Sequence, residues 1–332
     1  MSPSNPPSRP VALVTAPFRG EGLVLLRSVA DVVYEPWIEE VPIRLYDPER
    51  LAARVQEVGA SILVCEADSC KGPVLELPLL VIGSTRGDPT NVDLPGATVA
   101  GIPVVHAPGR NADAVAEMTI ALLFAVNRHV VRADRDMRER TVFGRTLPYQ
   151  RYRAWQLAGR TVGIVGLGAV GRAARWRFEG LGMRVIAADP YHPEATHGLD
   201  DLLAEADVVS MHAPVTPETA GMIDAAAFAR MREGAIYLNT ARAALHDTDA
   251  LVEALRSGHL LGAGLDHVNG EVLPEGHPLL AMEQVTLTPH IGGATYDVEA
   301  NQAAMIAEDV VRVLRGERPV RLANPAAWEA RP

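Results

Sequence analysis

The stretch Thr161-Val162-Gly163-Ile164-Val165-Gly166-Leu167-Gly168-Ala169-Val170-Gly171 reads as a buried strand that runs through a glycine-rich turn into a helix. Its first five residues are mostly apolar and β-branched, as in a strand covered on both faces, and Arg172 to Leu181 continues as a helix. The glycines follow the spacing G-x-G-x-x-G. Gly166 makes the tight turn, Gly168 lets a pyrophosphate approach the backbone, and Gly171 lets the helix pack closely on the strand. Through Ala169 and Val170 the loop presents a helix N-terminus, which attracts phosphate.

The next apolar segment, Arg184 to Ala188, ends at Asp189, 23 residues after Gly166. A carboxylate there accepts hydrogen bonds from an adenosine ribose and repels a 2′-phosphate, so the expected cofactor is NAD rather than NADP. The plainer alternative is a tight turn with Asp189 as a local cap. Further buried strands are expected at Val208 to His212, Ala235 to Asn239, Leu261 to Leu265 and Val285 to Leu287, giving six strands of Rossmann type.

Upstream, apolar runs at Val11 to Ala16, Ile62 to Cys65, Leu79 to Gly83 and Val104 to His106 predict a first α/β unit with parallel strands. Between the two units, Asn111 to Val131 follows a Pro-Gly pair and contains no breaker, which predicts one long buried helix. A second helix-like stretch, Asn301 to Arg315, follows His290 without declaring which unit it joins.

A chain of 332 residues, 48% hydrophobic and 22% charged, has the size and composition of two globular domains. The net charge of -10, without a long basic run, argues against nucleic acid as a partner. The longest strongly apolar stretch, Ile120 to Val126, is far short of a membrane span, and the Pro- and Ser-rich start, expected to be disordered, has no apolar signal core. A cytoplasmic protein without a membrane partner is expected. Cys65 and Cys70 lack the companions of a zinc site and read as buried thiols. His192, His197, His246, His259 and His277 show no ligand spacing on one helix face, so no metal is assigned.

Several further segments occur in a characteristic order: Gly101-Ile102-Pro103-Val104-Val105, Pro108-Gly109-Arg110-Asn111-Ala112 and Ala114-Val115-Ala116-Glu117, then Met211-His212-Ala213-Pro214-Val215-Thr216 and Leu238-Asn239-Thr240-Ala241-Arg242, and finally Gly264-Leu265-Asp266 and Thr288-Pro289-His290-Ile291-Gly292-Gly293-Ala294-Thr295. Together they resemble the D-isomer-specific 2-hydroxyacid dehydrogenases over about residues 80 to 315. The resemblance implies two Rossmann-like α/β domains with parallel sheets flanked by helices. Residues 1–106 and 290–332 would form a discontinuous substrate-binding domain, and 107–289 the NAD-binding domain. It also implies a homodimer and a small 2-hydroxy or 2-oxo acid as substrate.

Such a reaction needs an acid/base for the hydroxyl proton, a cation for the carboxylate and a nicotinamide facing C2. His290 matches the family's catalytic histidine, and imidazole titrates near neutrality, so it can serve both directions; a satisfied structural histidine is the alternative. Glu271 matches the acid that hydrogen-bonds this histidine, although Val272 and His267 stand where related sequences usually have proline and valine; a solvated loop acid is the alternative. Arg242 matches the substrate arginine, whose planar fork engages a carboxylate, against the alternative of a surface ion pair.

For the cofactor, Asp266 resembles the residue that recognises the nicotinamide carboxamide, and His212, Pro214 and Thr216 follow a sheet strand where the dinucleotide should pass. Thr216 in Val-Thr-Pro also reads as a turn. Thr240, Ala241 and Gly292 complete the expected cofactor set. On the substrate side, Arg86 and Gly87 lie in the loop whose amides hold the carboxylate in the family, with Arg86 as an extra cation or a solvated side chain; His106 and Arg110 are neighbouring candidates. The substrate is left open among glycerate, phosphoglycerate, glyoxylate, lactate and sugar acids. A dinucleotide-sensing or co-repressor-like binding protein on the same fold is the rival reading.

Overall fold

The computed structural model describes residues 9–143 and 147–330, and the start of the chain up to residue 8 lies outside them. The chain divides into two units, one running up to Arg110 and resuming at Thr295, the other comprising Asn111–Ala294. His290 therefore lies in the second unit, whereas the sequence reading placed it with the first.

In the first unit, β1 (Val11–Val14), β2 (Asp31–Tyr34), β3 (Ile62–Cys65), β4 (Val81–Ser84) and β5 (Val104–His106) form one parallel sheet in the order β2-β1-β3-β4-β5. Strands β1, β3 and β4 are almost wholly buried, and these were readable as apolar runs. The edge strand β2 begins with an exposed Asp31 and is only half-buried; its short apolar run, Val32-Val33-Tyr34, was not read as a strand. Cys65 and Cys70 are free, buried thiols.

The helix Tyr296–Leu314 belongs to this first unit. It packs on the helix Gly20–Val29, where a Cβ on Gly22 would fall 2.2 Å from the backbone of Ala303. The helix starts earlier than the expected Asn301. Thr295 caps it by accepting from the Val298 amide at 3.2 Å, and Asp297 and Glu299 occupy the first turn.

In the second unit, β6 (Thr161–Val165), β7 (Arg184–Ala188), β8 (Val208–Met211), β9 (Ala235–Asn239), β10 (Leu260–Leu265) and β11 (Val285–Leu287) are all parallel, in the order β11-β10-β9-β8-β6-β7. The winding direction reverses between β6 and β8, and the loops leaving their C-terminal ends flank the crevice where an open α/β sheet binds its ligand. Both units thus have the expected parallel sheets flanked by helices.

The single helix expected over Asn111 to Val131 is two. Ala112–Asn127 stops, His129 takes a left-handed conformation (φ 54°), and Val130–Arg138 leaves at a bend of 59°. At the end of the first helix Asn127 is buried and donates from Nδ2 to the Trp155 carbonyl at 2.8 Å, and the left-handed His129 then redirects the chain. Among the described residues, no single helix is long and apolar enough to cross a membrane.

Candidate active site

The glycine loop between β6 and the helix Ala169–Gly180 divides its glycines by purpose. A Cβ on Gly166, whose φ is 95°, would lie 2.7 Å from the Ala213 amide nitrogen, and one on Gly171 would lie 2.0 Å from the Gly166 carbonyl oxygen. Those two are demanded by the protein's own packing. A Cβ on Gly168 would meet nothing within 4 Å, so internal packing does not call for a glycine there. Gly168 is also the N-cap and forms no side-chain cap, leaving first-turn amides at Ala169 and Val170 available to an anion. Open space over uncapped amides fits a dinucleotide pyrophosphate.

Asp189, just beyond β7, accepts from the Leu167 amide through Oδ2 (2.8 Å) and from the Tyr191 amide through Oδ1 (2.9 Å). It braces the glycine loop from below, and each oxygen retains a lone pair for a ribose hydroxyl. The local-cap and ribose readings are therefore compatible at this residue.

Beyond β8, His212 pairs through Nε2 with Ser210 Oγ at 2.8 Å, while its buried Nδ1 has no partner. Burial lowers its pKa to about 4, so it is a neutral imidazole at ordinary pH. Pro214 and Thr216 form a tight turn: Thr219 Oγ1 donates to the Pro214 carbonyl at 2.6 Å and accepts from the Thr216 amide at 2.7 Å. The Thr216 hydroxyl itself donates to Glu218 at 2.6 Å, as the turn reading anticipates. Thr240 is buried against Thr119, hydroxyl to hydroxyl at 2.8 Å. Asn239 folds the following residues, accepting from the Ala241 amide at 3.0 Å and donating to the Arg242 carbonyl at 2.9 Å. That turn delivers the Arg242 side chain to the surface, where it forms no ion pair with a described residue.

Asp266, at the end of β10, is 1% exposed and holds the loop that follows β11. Its Oδ1 accepts from Thr288 Oγ1 (2.6 Å) and the Ile291 amide (2.9 Å), and its Oδ2 from the Gly292 amide (2.7 Å). A Cβ on Gly292 would lie 2.8 Å from that same Oδ2. The loop so gripped contains His290 in a left-handed conformation (φ 56°), unusual outside glycine.

The grip brings His290 Nδ1 to 3.1 Å from Glu271 Oε1. Glu271 is likewise left-handed (φ 65°), following Gly270. Burial acts to raise the Glu271 pKa, but the hydrogen bond from His290 and the nearby charges of His290, His267 and Arg242 outweigh it and hold the carboxyl below its ordinary value. An ionised acid against one ring nitrogen leaves Nε2 of His290 as the nitrogen that can exchange a proton with a bound molecule.

The sequence reading did not anticipate His267 as part of this cluster. Its Nε2 lies 3.2 Å from the same Glu271 oxygen, and its ring meets that of His290 edge-on with centroids 4.6 Å apart. His267, Glu271 and His290 offer ligand atoms all within 4.8 Å of one another. However, the Ala243 amide donates to His267 Nδ1 at 3.3 Å, which places the ring's proton on Nε2 and makes it a donor to Glu271 rather than a ligand.

In the first unit, the Arg86 carbonyl accepts from the Ala107 amide (2.9 Å), and its guanidinium pairs with no described residue. The Gly87 carbonyl lies 2.8 Å from His106 Nδ1, which fixes this loop against the end of β5. Arg110 is already committed: it pairs with Glu66 at 2.5 Å, both largely buried.

Residues 120–292 match the NAD binding domain of the D-isomer specific 2-hydroxyacid dehydrogenases. The chain is 34% identical to a glyoxylate reductase of Thermofilum pendens, over 98% of this chain and 97% of that one. It is 38% identical to a D-3-phosphoglycerate dehydrogenase of Mycobacterium bovis over 87% of this chain, but spans only about half (54%) of that longer relative. Among solved structures, the NAD complexed form of a D-isomer specific 2-hydroxyacid dehydrogenase from Lactobacillus delbrueckii ssp. bulgaricus superposes with a TM-score of 0.77 at 25% identity, covering 95% of this chain and 99% of that one.

Proposed function

The chain belongs to the D-isomer specific 2-hydroxyacid dehydrogenases, with NAD as cofactor, and on that footing we propose that it interconverts a small D-2-hydroxy acid and its 2-oxo acid at C2. Bound NAD supplies the hydride acceptor, and NADH the donor. In the oxidative direction His290 takes the hydroxyl proton at Nε2 while Glu271, against Nδ1, stabilises the imidazolium that forms. In the reductive direction the same Nε2 returns the proton to the carbonyl oxygen. Arg242, exposed on the second unit with Nη1 on the Ala241 carbonyl and in no ion pair with a described residue, engages the carboxylate and polarises the neighbouring oxygen. The observation that carries this reading is the His290–Glu271 pair at 3.1 Å, with the exposed Arg242 within electrostatic reach.

Asp189 provides the ribose acceptor and Gly168 the pyrophosphate contact. We assign substrate binding to the first unit, with the amides near Gly87 holding the carboxylate and Arg86 available for a second anionic or hydroxylated part of the substrate. We further propose a homodimer, supported by exposed apolar side chains gathered between residues 130 and 155, including Val130, Val131, Met137, Tyr149 and Trp155.

The experiment is NADH oxidation against a panel of glyoxylate, hydroxypyruvate, its 3-phosphate, pyruvate and longer 2-oxo sugar acids. Turnover with at least one, and preference for NADH over NADPH, is expected. Tight NADH binding without turnover on any of them contradicts catalysis and favours a dinucleotide sensor.

A further inference from the structure

We propose that His267 is a positioning residue of the acid/base pair: a second imidazole donor to Glu271 that shares its carboxylate oxygen with His290 and ties it to the segment carrying Arg242. The proposal rests on the reading of His290 and Glu271 given above. A valine side chain at this place would neither donate nor accept a hydrogen bond.

Three contacts define the role. Glu271 Oε1 faces His290 Nδ1 at 3.1 Å and His267 Nε2 at 3.2 Å, so one oxygen is divided between two rings. The Ala243 amide donates to His267 Nδ1, fixing the tautomer whose Nε2–H points at Glu271. Because Ala243 follows Arg242, the chain Ala243–His267–Glu271–His290 links the anion-binding and proton-transfer segments. The edge-on ring contact keeps His267 from turning away. His267 is only 15% exposed at its side chain, and its burial favours the neutral donor form.

The physical consequence concerns how strongly Glu271 holds the His290 proton. A carboxylate oxygen that already accepts from one N–H is less basic toward a second. The groups facing this oxygen and His267 are His290, Arg242, Asp266 and His246, and among the described residues only the two rings donate to it. Replacing His267 with valine leaves Glu271 to His290 alone, and the imidazolium persists to higher pH.

The test compares the wild type with His267→Val and His267→Gln, the glutamine retaining an N–H donor. The first readout is the NMR titration of the His290 ring proton, assigned with His290→Asn and measured without substrate. The second is the pH profile of kcat/KM for reduction. The account predicts that valine moves the titration and the high-pH limb upward by about half a unit or more, roughly threefold in proton concentration, and that glutamine returns both most of the way. Superimposable titrations for wild type and His267→Val overturn the proposal, as does a glutamine shift equal to that of valine. If no 2-oxo acid is turned over, the functional reading fails, yet the substrate-free titration still decides the role of His267.

Discussion

The Oδ2 of Asp266 lies 2.7 Å from the amide of Gly292, and a side chain at Gly292 would collide with it. With the two contacts to Oδ1, this makes Asp266 the anchor of the loop on which His290 stands. We predict that Asp266→Asn, which places an amide donor against backbone donors, costs about 1–3 kcal/mol of stability for the unsatisfied buried groups. Urea unfolding checks this, and kcat should fall with His290 no longer held in its left-handed conformation. Unchanged stability would show that the loop holds itself.

Gly168 and Gly171 offer a matched pair. Gly168→Ala should leave the unfolding midpoint nearly unchanged, because its Cβ meets nothing within 4 Å, yet weaken NADH binding measured by fluorescence. Gly171→Ala should lower the unfolding midpoint outright, since its Cβ would sit 2.0 Å from a carbonyl oxygen. Equal effects of both on both measurements would contradict the division of roles.

Asp189 is predicted to govern the choice of dinucleotide. In Asp189→Ala the ratio of kcat/KM for NADPH over NADH should rise by roughly tenfold or more, the scale of a lost charge-assisted hydrogen bond. The Leu167 and Tyr191 amides also lose their acceptor, so a modest loss of stability should accompany it. A wild type that prefers NADPH would contradict the assignment.

Stability should also fall on mild acidification through His246. This residue is 5% exposed, pairs with Asn239 Nδ2 at 3.0 Å, and has its pKa lowered by burial to about 4. Above pH 6.5 the ring is neutral in both folded and unfolded chains, and the shift has no effect. Between pH 6.5 and about 4 the unfolded chain takes up a proton that the folded one refuses, so stability is lost as pH falls. At pH 5 the loss attributable to this group is about 2 kcal/mol, and His246→Gln should remove that part of the fall in the urea midpoint between pH 7 and 5, leaving a similar part that belongs to the buried His212.

Much of this was legible in the sequence where a single physical demand writes itself locally. Strands buried on both faces leave apolar runs, so β6 and β9 were placed to the residue, and the less buried edge strands β7 and β11 were placed as well. The edge strand β2 was missed, although Val32-Val33-Tyr34 was there to read. The break at His129 rests on a left-handed conformation at a residue that is not glycine, which no glycine or proline in the local sequence announces. In the site, His290, Glu271 and Arg242 could be assigned from their motifs, but the work of Asp266 and His267 could not. Asp266 acts on a loop 22 to 26 residues further along the chain, which comes within reach only once β10 and β11 lie side by side. His267 is four residues from Glu271, but the Ala243 amide that fixes its tautomer lies 24 residues back, just past the end of the neighbouring β9. The helix start at Thr295 could have been found, since a threonine cap followed by Asp297 and Glu299 was there to read.

The most direct test of the central claim is turnover of NADH with the best 2-oxo acid by the wild type and His290→Ala, with NADH binding measured in parallel. The account predicts that kcat falls by about 10²–10⁴-fold, the usual contribution of a positioned acid/base, while NADH binds both proteins alike. Equal turnover by the two would contradict it.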